Sequence, residues 1–274
     1  MLNSKFSRTV FFSHLALFII SPFISYQRAQ SSSVLTDGTG DYASSVTTNA
    51  NKVQLNKNAI KFVRSYIKKN NEDLAKIKER SKSPFKAMDV VFKKYGLPVQ
   101  LKYLAVIESE LKTTAVSRVG AVGPWQLMPA TAKILGLKVS RKNDERKQYA
   151  KSTKAAAIYL RDLYAEYGDW LLVMAAYNCG PGPVNTAIHK SGSHNFWALQ
   201  FYLPEESRDH VKKFIATQYY FEGKGSATTL TKAENIRYNK ILAEANRRGP
   251  VPVQKDAIAI EEFAGFNQGL AYGD

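Results

Sequence analysis

The stretch Leu97-Pro98-Val99-Gln100-Leu101-Lys102-Tyr103-Leu104-Ala105-Val106-Ile107-Glu108-Ser109 decides how the rest of this chain is read. It opens with a proline suited to a first helical turn, then repeats apolar residues at helical spacing. At about 3.6 residues per turn, Leu97, Leu101, Leu104 and Glu108 share one face, whereas Glu110 points roughly the other way. An acidic side chain therefore stands where the helix should bury hydrocarbon. Burial lifts a carboxyl above its free pKa of about 4.3, and the negative end of the helix dipole acts in the same direction. Glu108 then holds a proton near neutral pH, which is what a general acid requires. The competing reading is structural, a carboxylate paired with Arg or Lys at a helix end.

Working outward, Gly120-Ala121-Val122-Gly123-Pro124-Trp125-Gln126-Leu127-Met128-Pro129-Ala130-Thr131-Ala132 begins with glycines that permit turns and close backbone approach. It continues with Trp, Gln and Met, the pattern of a loop facing a ligand, and its Pro129 starts a helix that ends at Gly136. Ala175-Ala176-Tyr177-Asn178-Cys179-Gly180-Pro181-Gly182 closes a helix capped by Asp169, placing a Tyr and an Asn at its end before a Gly-Pro turn. Tyr202-Leu203-Pro204-Glu205-Glu206-Ser207-Arg208 brings a second acidic candidate. Taken singly, such blocks carry little, since a Trp or Tyr beside a helix is more often core than ligand platform.

Taken together and in this order, the blocks resemble the lytic transglycosylase catalytic domain of the goose-type lysozyme superfamily, above all its membrane-bound lytic murein transglycosylase D group. The resemblance rests on Glu108-Ser109, Gly120 through Ala132, Asp144-Glu145-Arg146 with Ser152-Thr153, and Ala155-Ala156-Ala157-x-Tyr159-Leu160. It continues through Gly168-Asp169-Trp170, Ala175 through Gly182, and Phe196-Trp197 with Leu203-Pro204-x-Glu206. It covers roughly residues 50 to 222 and implies a mainly α, lysozyme-like helical catalytic domain that cleaves the glycan strands of peptidoglycan. By motif match Glu108 takes the catalytic acid and base position. Ser109, Gln126, Met128, Tyr177 and Asn178 fall at substrate-binding positions of the cleft, and Glu206 at a carboxylate supporting the site. Two positions depart from the family pattern, which has Thr at Ser207 and Tyr at His210. Serine retains the hydroxyl, whereas an imidazole can add a positive charge below about pH 6.5. Cys179 stands where a small residue such as Ala is usual, and a free Cys packs as a small hydrophobe.

The chemistry implied by the resemblance needs one carboxyl. Most glycosidases use two, yet the motifs offer Glu108 no second acid besides the supporting Glu206. In the family the substrate supplies the nucleophile. The acid protonates the oxygen between N-acetylmuramic acid and N-acetylglucosamine, the N-acetyl group assists departure, and the same residue as base activates the C6 hydroxyl. A 1,6-anhydro ring results and no water is consumed. A hydrolytic muramidase and a non-catalytic peptidoglycan-binding protein remain as alternatives. A cysteine peptidase built from Cys179 with His189 or His194 is disfavoured, because a helix C-terminus opposes a thiolate. His14, His189, His194 and His210 lack the spacing of a zinc site, so no metal or other cofactor is expected.

Composition sets outer bounds. The 274 residues hold one substantial domain plus extensions, and the formal net charge of +16 makes a polyanionic partner or surface plausible. Lys and Arg are scattered through helices without a nucleic-acid motif, so a solvated charged face is the better account and no nucleic acid partner is expected. Peptidoglycan, with free carboxylates on its stem peptides, fits the charge equally well. Lys5 and Arg8 before the apolar run Val10 to Ile20 read as a secretory signal over 1–31, too short for a confident membrane span. The expected compartment is the periplasm; envelope or membrane association is allowed but not required, and a monomer is expected. No Cys near this region offers a lipid attachment site. Residues 32–51, rich in Ser, Thr, Gly and Asn, read as a flexible linker.

The remaining organisation is an N-terminal helical extension over 52–96, the catalytic domain over 97–222 and a C-terminal tail of unassigned role over 223–274. Periodicity predicts one or two amphipathic helices over 53–80, a helix from Ser83-Pro84 to Gly96 and a long helix from about Ser152 to Tyr167 capped by Ser or Thr. Further helices are expected over 211–221 and 231–248, and strand signals are sparse. No internal repeat or wall-binding LysM repeat is visible, so glycan affinity has to come from the cleft itself.

Overall fold

Asn56 starts the first helix because its side-chain oxygen accepts a hydrogen bond from the Asn58 amide, satisfying one of the donors a helix start leaves free. In this computed structural model, which describes residues 53–248, the helix α1 runs Lys57–Arg80. The expected signal, the linker and residues 249–274 of the tail lie outside the described residues. The expected one or two helices appear as two helical segments running on from each other across a kink at Asn70, where the backbone leaves helical geometry. There the Asn70 amide donates to the Tyr66 carbonyl at 2.7 Å. Ala59, Val63, Leu74 and Ile77 form the buried stripe of α1. A second helix, α2 (Lys82–Lys94), buries Met88 and Phe92.

The deciding stretch departs from a single helix. Pro98 precedes a 3-10 turn, Val99–Lys102, and only then does α3 run Tyr103–Ser109. The remaining helices are α4 (Pro129–Ile134), α5 (Tyr149–Tyr167), α6 (Trp170–Cys179), α7 (Pro181–Ser191), α8 (Phe196–Leu199), α9 (Glu205–Glu222) and α10 (Lys232–Arg248). The fold is mainly α. Among the described residues there is no strand, only isolated bridges that tie Val116, Val122 and Leu127 together and join Val139 to Asp144.

Helix α6 is the centre of the packing. Its residues Trp170 through Ala176 are all buried, as expected for a helix apolar around its whole circumference, and it packs against α5, α7 and α9. Helix α9 also receives α1 and α3, so the element bearing Glu206 and His210 contacts the element bearing Glu108. Helix α5 begins at Tyr149, earlier than its sequence suggests, and neither Ser152 nor Thr153 caps it. Both are buried inside the helix: Ser152 bonds back to the Gln148 carbonyl at 2.7 Å, and the Thr153 hydroxyl accepts from the Trp125 indole at 3.0 Å. Gly168 ends α5 in the left-handed conformation at φ 60°. No helix among the described residues is long and apolar enough to cross a membrane.

Candidate active site

Glu108 lies in the last turn of α3, and the chain leaves that helix through two left-handed non-glycine residues, Glu110 at φ 55° and Leu111 at φ 66°. The turn separates the two glutamates as the periodicity requires. Glu110 reaches the surface, where it pairs with Lys112 at 2.7 Å and Arg80 at 3.3 Å. The Glu108 side chain is only 8% exposed. Burial is the main force on its carboxyl; the charge of Glu206 adds to it and that of Lys213 opposes it, leaving the pKa pushed up to about 8. Glu108 is therefore a neutral acid at pH 7. No Arg or Lys among the described residues pairs with it; the group within ion-pair range is His210, whose Nε2 lies 3.5 Å from Oε1.

The loop of residues 115–128 is fixed from behind. The buried Arg146, held by Asp144 through bonds of 2.9 and 2.7 Å, donates to the carbonyls of Gly120 at 2.9 Å and Leu127 at 3.0 Å. Gly123 has φ 84°, and a Cβ there would lie 2.0 Å from the Arg146 carbonyl oxygen, so only glycine fits. Trp125 belongs to the core, fully buried against Phe92. Gln126 holds φ 43° and spends its amide protons on the carbonyls of Gly123 at 2.8 Å and Ala115 at 3.3 Å. Ser109 is buried and donates to the Pro124 carbonyl at 2.9 Å, fastening the loop to α3. Met128, at the start of α4, is 37% exposed.

Helix α6 delivers the other wall. The Tyr177 hydroxyl donates to the Trp125 carbonyl at 2.7 Å, and its ring packs against Tyr159. Burial drives this phenol well above its ordinary pKa, with the nearby Glu108 adding to the effect. Asn178 is buried, and its Oδ1 accepts from the Ser207 hydroxyl at 2.7 Å. Glu206, on the first turn of α9, has its carboxyl raised by burial and partly restored by Lys213.

Glu108, Tyr177, Glu206 and His210 thus form one electrostatic cluster, and Asn178 joins it through Ser207. Ser109 and Gln126, expected to meet substrate, use their side-chain donors to hold the loop. The expected protonation of His210 below about pH 6.5 is corrected: burial, reinforced by the Lys213 charge, pushes it down to about 3, so the imidazole is neutral. Lys213 was missed by motif reading. Its spacing with Glu206 and His210, i, i+4 and i+7 on one helix, was the available signal. Burial pushes the Cys179 thiol up, and Sγ faces the Ala175 carbonyl at 3.2 Å, a packing role unlike that of a nucleophile. Among the described residues no three His, Cys, Asp or Glu side chains converge as a metal-ligating group.

Comparison with known proteins gives a consistent picture. The family described as "Transglycosylase SLT domain" matches residues 91–200. Over 187 residues the chain is 33% identical to the membrane-bound lytic murein transglycosylase D of Escherichia coli (strain K12), covering 65% of this chain and 40% of that protein. It is 33% identical over 117 residues to the peptidoglycan transglycosylase gp16 of Escherichia phage T7, covering 42% of this chain and 9% of that protein. The chain therefore spans less than half the length of these curated relatives. The crystal structure of the 70 kDa soluble lytic transglycosylase of Escherichia coli is similar over 53% of this chain and 26% of that one, with 26% identity and a TM-score of 0.46.

Proposed function

We propose that the chain, whose residues 91–200 match the transglycosylase SLT domain family, is a peptidoglycan lytic transglycosylase with Glu108 as its general acid and base. The observation that carries the reading is the buried Glu108 carboxyl, pushed up to about 8 although the Lys213 charge opposes the rise. Such a group carries a transferable proton at neutral pH. The names of the relatives supply the substrate class, murein in one and peptidoglycan in the other.

In the proposed reaction the Glu108 proton passes to the oxygen joining N-acetylmuramic acid to N-acetylglucosamine as the C1–O bond breaks. The carboxylate left behind then takes the proton of the muramic acid C6 hydroxyl while O6 closes on C1, which returns Glu108 to its starting state. Intramolecular attack is favoured entropically when the cleft holds the sugar in a reactive shape. Tyr177 and Asn178 line the wall beside the acid, Met128 offers an exposed apolar contact, and Ser109, Gln126 and Glu206 hold the frame around it. Residues 97–222 form the catalytic domain in this reading, and the chain acts as a monomer in the periplasm after removal of the signal over 1–31.

One observation favours a second reading. Glu206 is close enough for its charge to raise Glu108, so a two-carboxyl hydrolase with Glu206 activating water is chemically available. Digestion of purified sacculi in oxygen-18 water, followed by mass analysis of the released muropeptides, separates the two. Transglycosylation gives 1,6-anhydro-N-acetylmuramic acid ends without label. Reducing ends labelled during cleavage would reassign the chain as a muramidase.

A further inference from the structure

His210 is the group within ion-pair range of the Glu108 carboxyl. It lies on α9, its side chain 9% exposed, with Nε2 buried, unbonded and 3.5 Å from Glu108 Oε1. A buried polar nitrogen without a partner is costly, and the carboxyl it faces within ion-pair range is the acid itself. The other titratable groups acting on this pair are Glu206 and Lys213 from the same helix and Tyr177 from α6.

Resting on the glycosidase reading above, we propose that His210 is the positioning residue of the catalytic acid, a neutral imidazole whose Nε2–H donates to Glu108 Oε1 and confines the transferable proton to Oε2. A neutral imidazole has one N–H and one bare nitrogen, so the direction of the bond matters. If Nε2 were the acceptor, the acid proton would point into α9 and away from substrate. With Nε2 as donor, the same bond serves both states of Glu108: it meets the carbonyl oxygen of the acid before transfer and a carboxylate oxygen after it. It strengthens as negative charge develops, because hydrogen bonds to ionised acceptors are stronger than neutral ones. Stabilisation is therefore greatest where the reaction needs it. A lysine or arginine here would hold Glu108 ionised and remove the proton. A neutral donor supports the carboxylate without that effect, and burial is what keeps this imidazole neutral. The separation of 3.5 Å needs to close by about 0.5 Å for an ordinary N–H···O bond, a tightening common when substrate fills a site.

The test is nuclear magnetic resonance on the full chain, with nitrogen-15 in the imidazoles and carbon-13 in the glutamate carboxyls. The Glu108→Gln protein assigns the Glu108 signal. In the wild type we expect the Nε2–H tautomer of His210, and a bare Nε2 with the proton on Nδ1 overturns the proposal without any variant. In His210→Phe the lost donor should raise the Glu108 pKa by about one unit, because a bond to the charged form is gone. Its kcat on sacculi should fall about 100-fold with KM nearly unchanged. His210→Gln, which restores an N–H donor, should recover most of both. An unmoved Glu108 titration in a folded His210→Phe protein would also overturn the assignment. These resonance measurements need no turnover. A wild type that releases no muropeptides but shows the Nε2–H tautomer and the titration shift refutes the glycosidase reading and leaves the pairing intact.

Discussion

The Ser207 hydroxyl donates to Asn178 Oδ1 at 2.7 Å, joining the first turn of α9 to the last turn of α6 inside the site. The bond leaves the Asn178 amide protons directed by a partner that is itself fully buried. Ser207→Ala should therefore cost about 1 kcal/mol of stability and about ten-fold in kcat/KM, and Ser207→Thr should retain both. Muropeptide release rates combined with thermal unfolding check this.

Glu108→Gln should fold and release no muropeptides, since an amide has no acid proton to give. Its stability should also respond differently to pH. The folded pKa of about 8 lies above the ordinary value of 4.5, so the folded chain binds the proton more tightly than the unfolded one. The stability this provides is fully present below pH 4.5 and is lost as pH rises through 8, on the order of a few kcal/mol in total. The variant should lack that loss, which denaturant titrations at pH 5 and pH 9 will resolve. Activity of the wild type should decline on the alkaline side with an apparent pKa of about 8.

Gly123→Ala should be among the most damaging small substitutions. The added methyl meets the Arg146 carbonyl at 2.0 Å and the residue sits at φ 84°, so the loop has to move away from the site. A loss of about 3 kcal/mol or more is expected by calorimetry. Gly120→Ala is the control: it meets nothing within 4 Å, and only its φ of 87° is strained.

Asp169→Ala should loosen the starts of two helices at once, α6 and α10. One carboxylate oxygen accepts from the Leu171 and Leu172 amides at the start of α6, and the other accepts from the Lys232 amide at 2.6 Å at the start of α10. Losing both caps should cost about 2 kcal/mol or more. Hydrogen exchange should show α10 opening before the core.

Cys179→Ala should remain active, since its thiol packs beneath the site and is held protonated by burial. Inactivation with folding intact, measured by circular dichroism and muropeptide release, would contradict that role.

The helices were legible wherever a local rule was strong. The Asp169 cap, the Gly168 stop and the Pro129 start are each decided by neighbours in the chain, and the structure places them as read. The reading failed where a side chain had two uses. Ser152 and Thr153 look like caps, yet a hydroxyl can also bond back within a helix or receive a distant indole, and the packing of Trp125 selects the latter for Thr153. The helix face and the motif order singled out Glu108. The face gave the direction of its proton affinity but not the size, which depends on burial by other elements and on charges from α9.

The same division runs through the site. Residue order along the chain determined which helices form, which glycines bend and which carboxyl turns inward, because those properties rest on contacts a few residues apart. Only the tertiary structure decided that Ser109 holds a loop and that His210 is neutral beside Glu108. Both depend on groups apart in sequence: the Ser109 hydroxyl reaches the Pro124 carbonyl, and Nε2 of residue 210 meets Oε1 of residue 108 because α9 packs on α3, while desolvation between packed helices has no local signature.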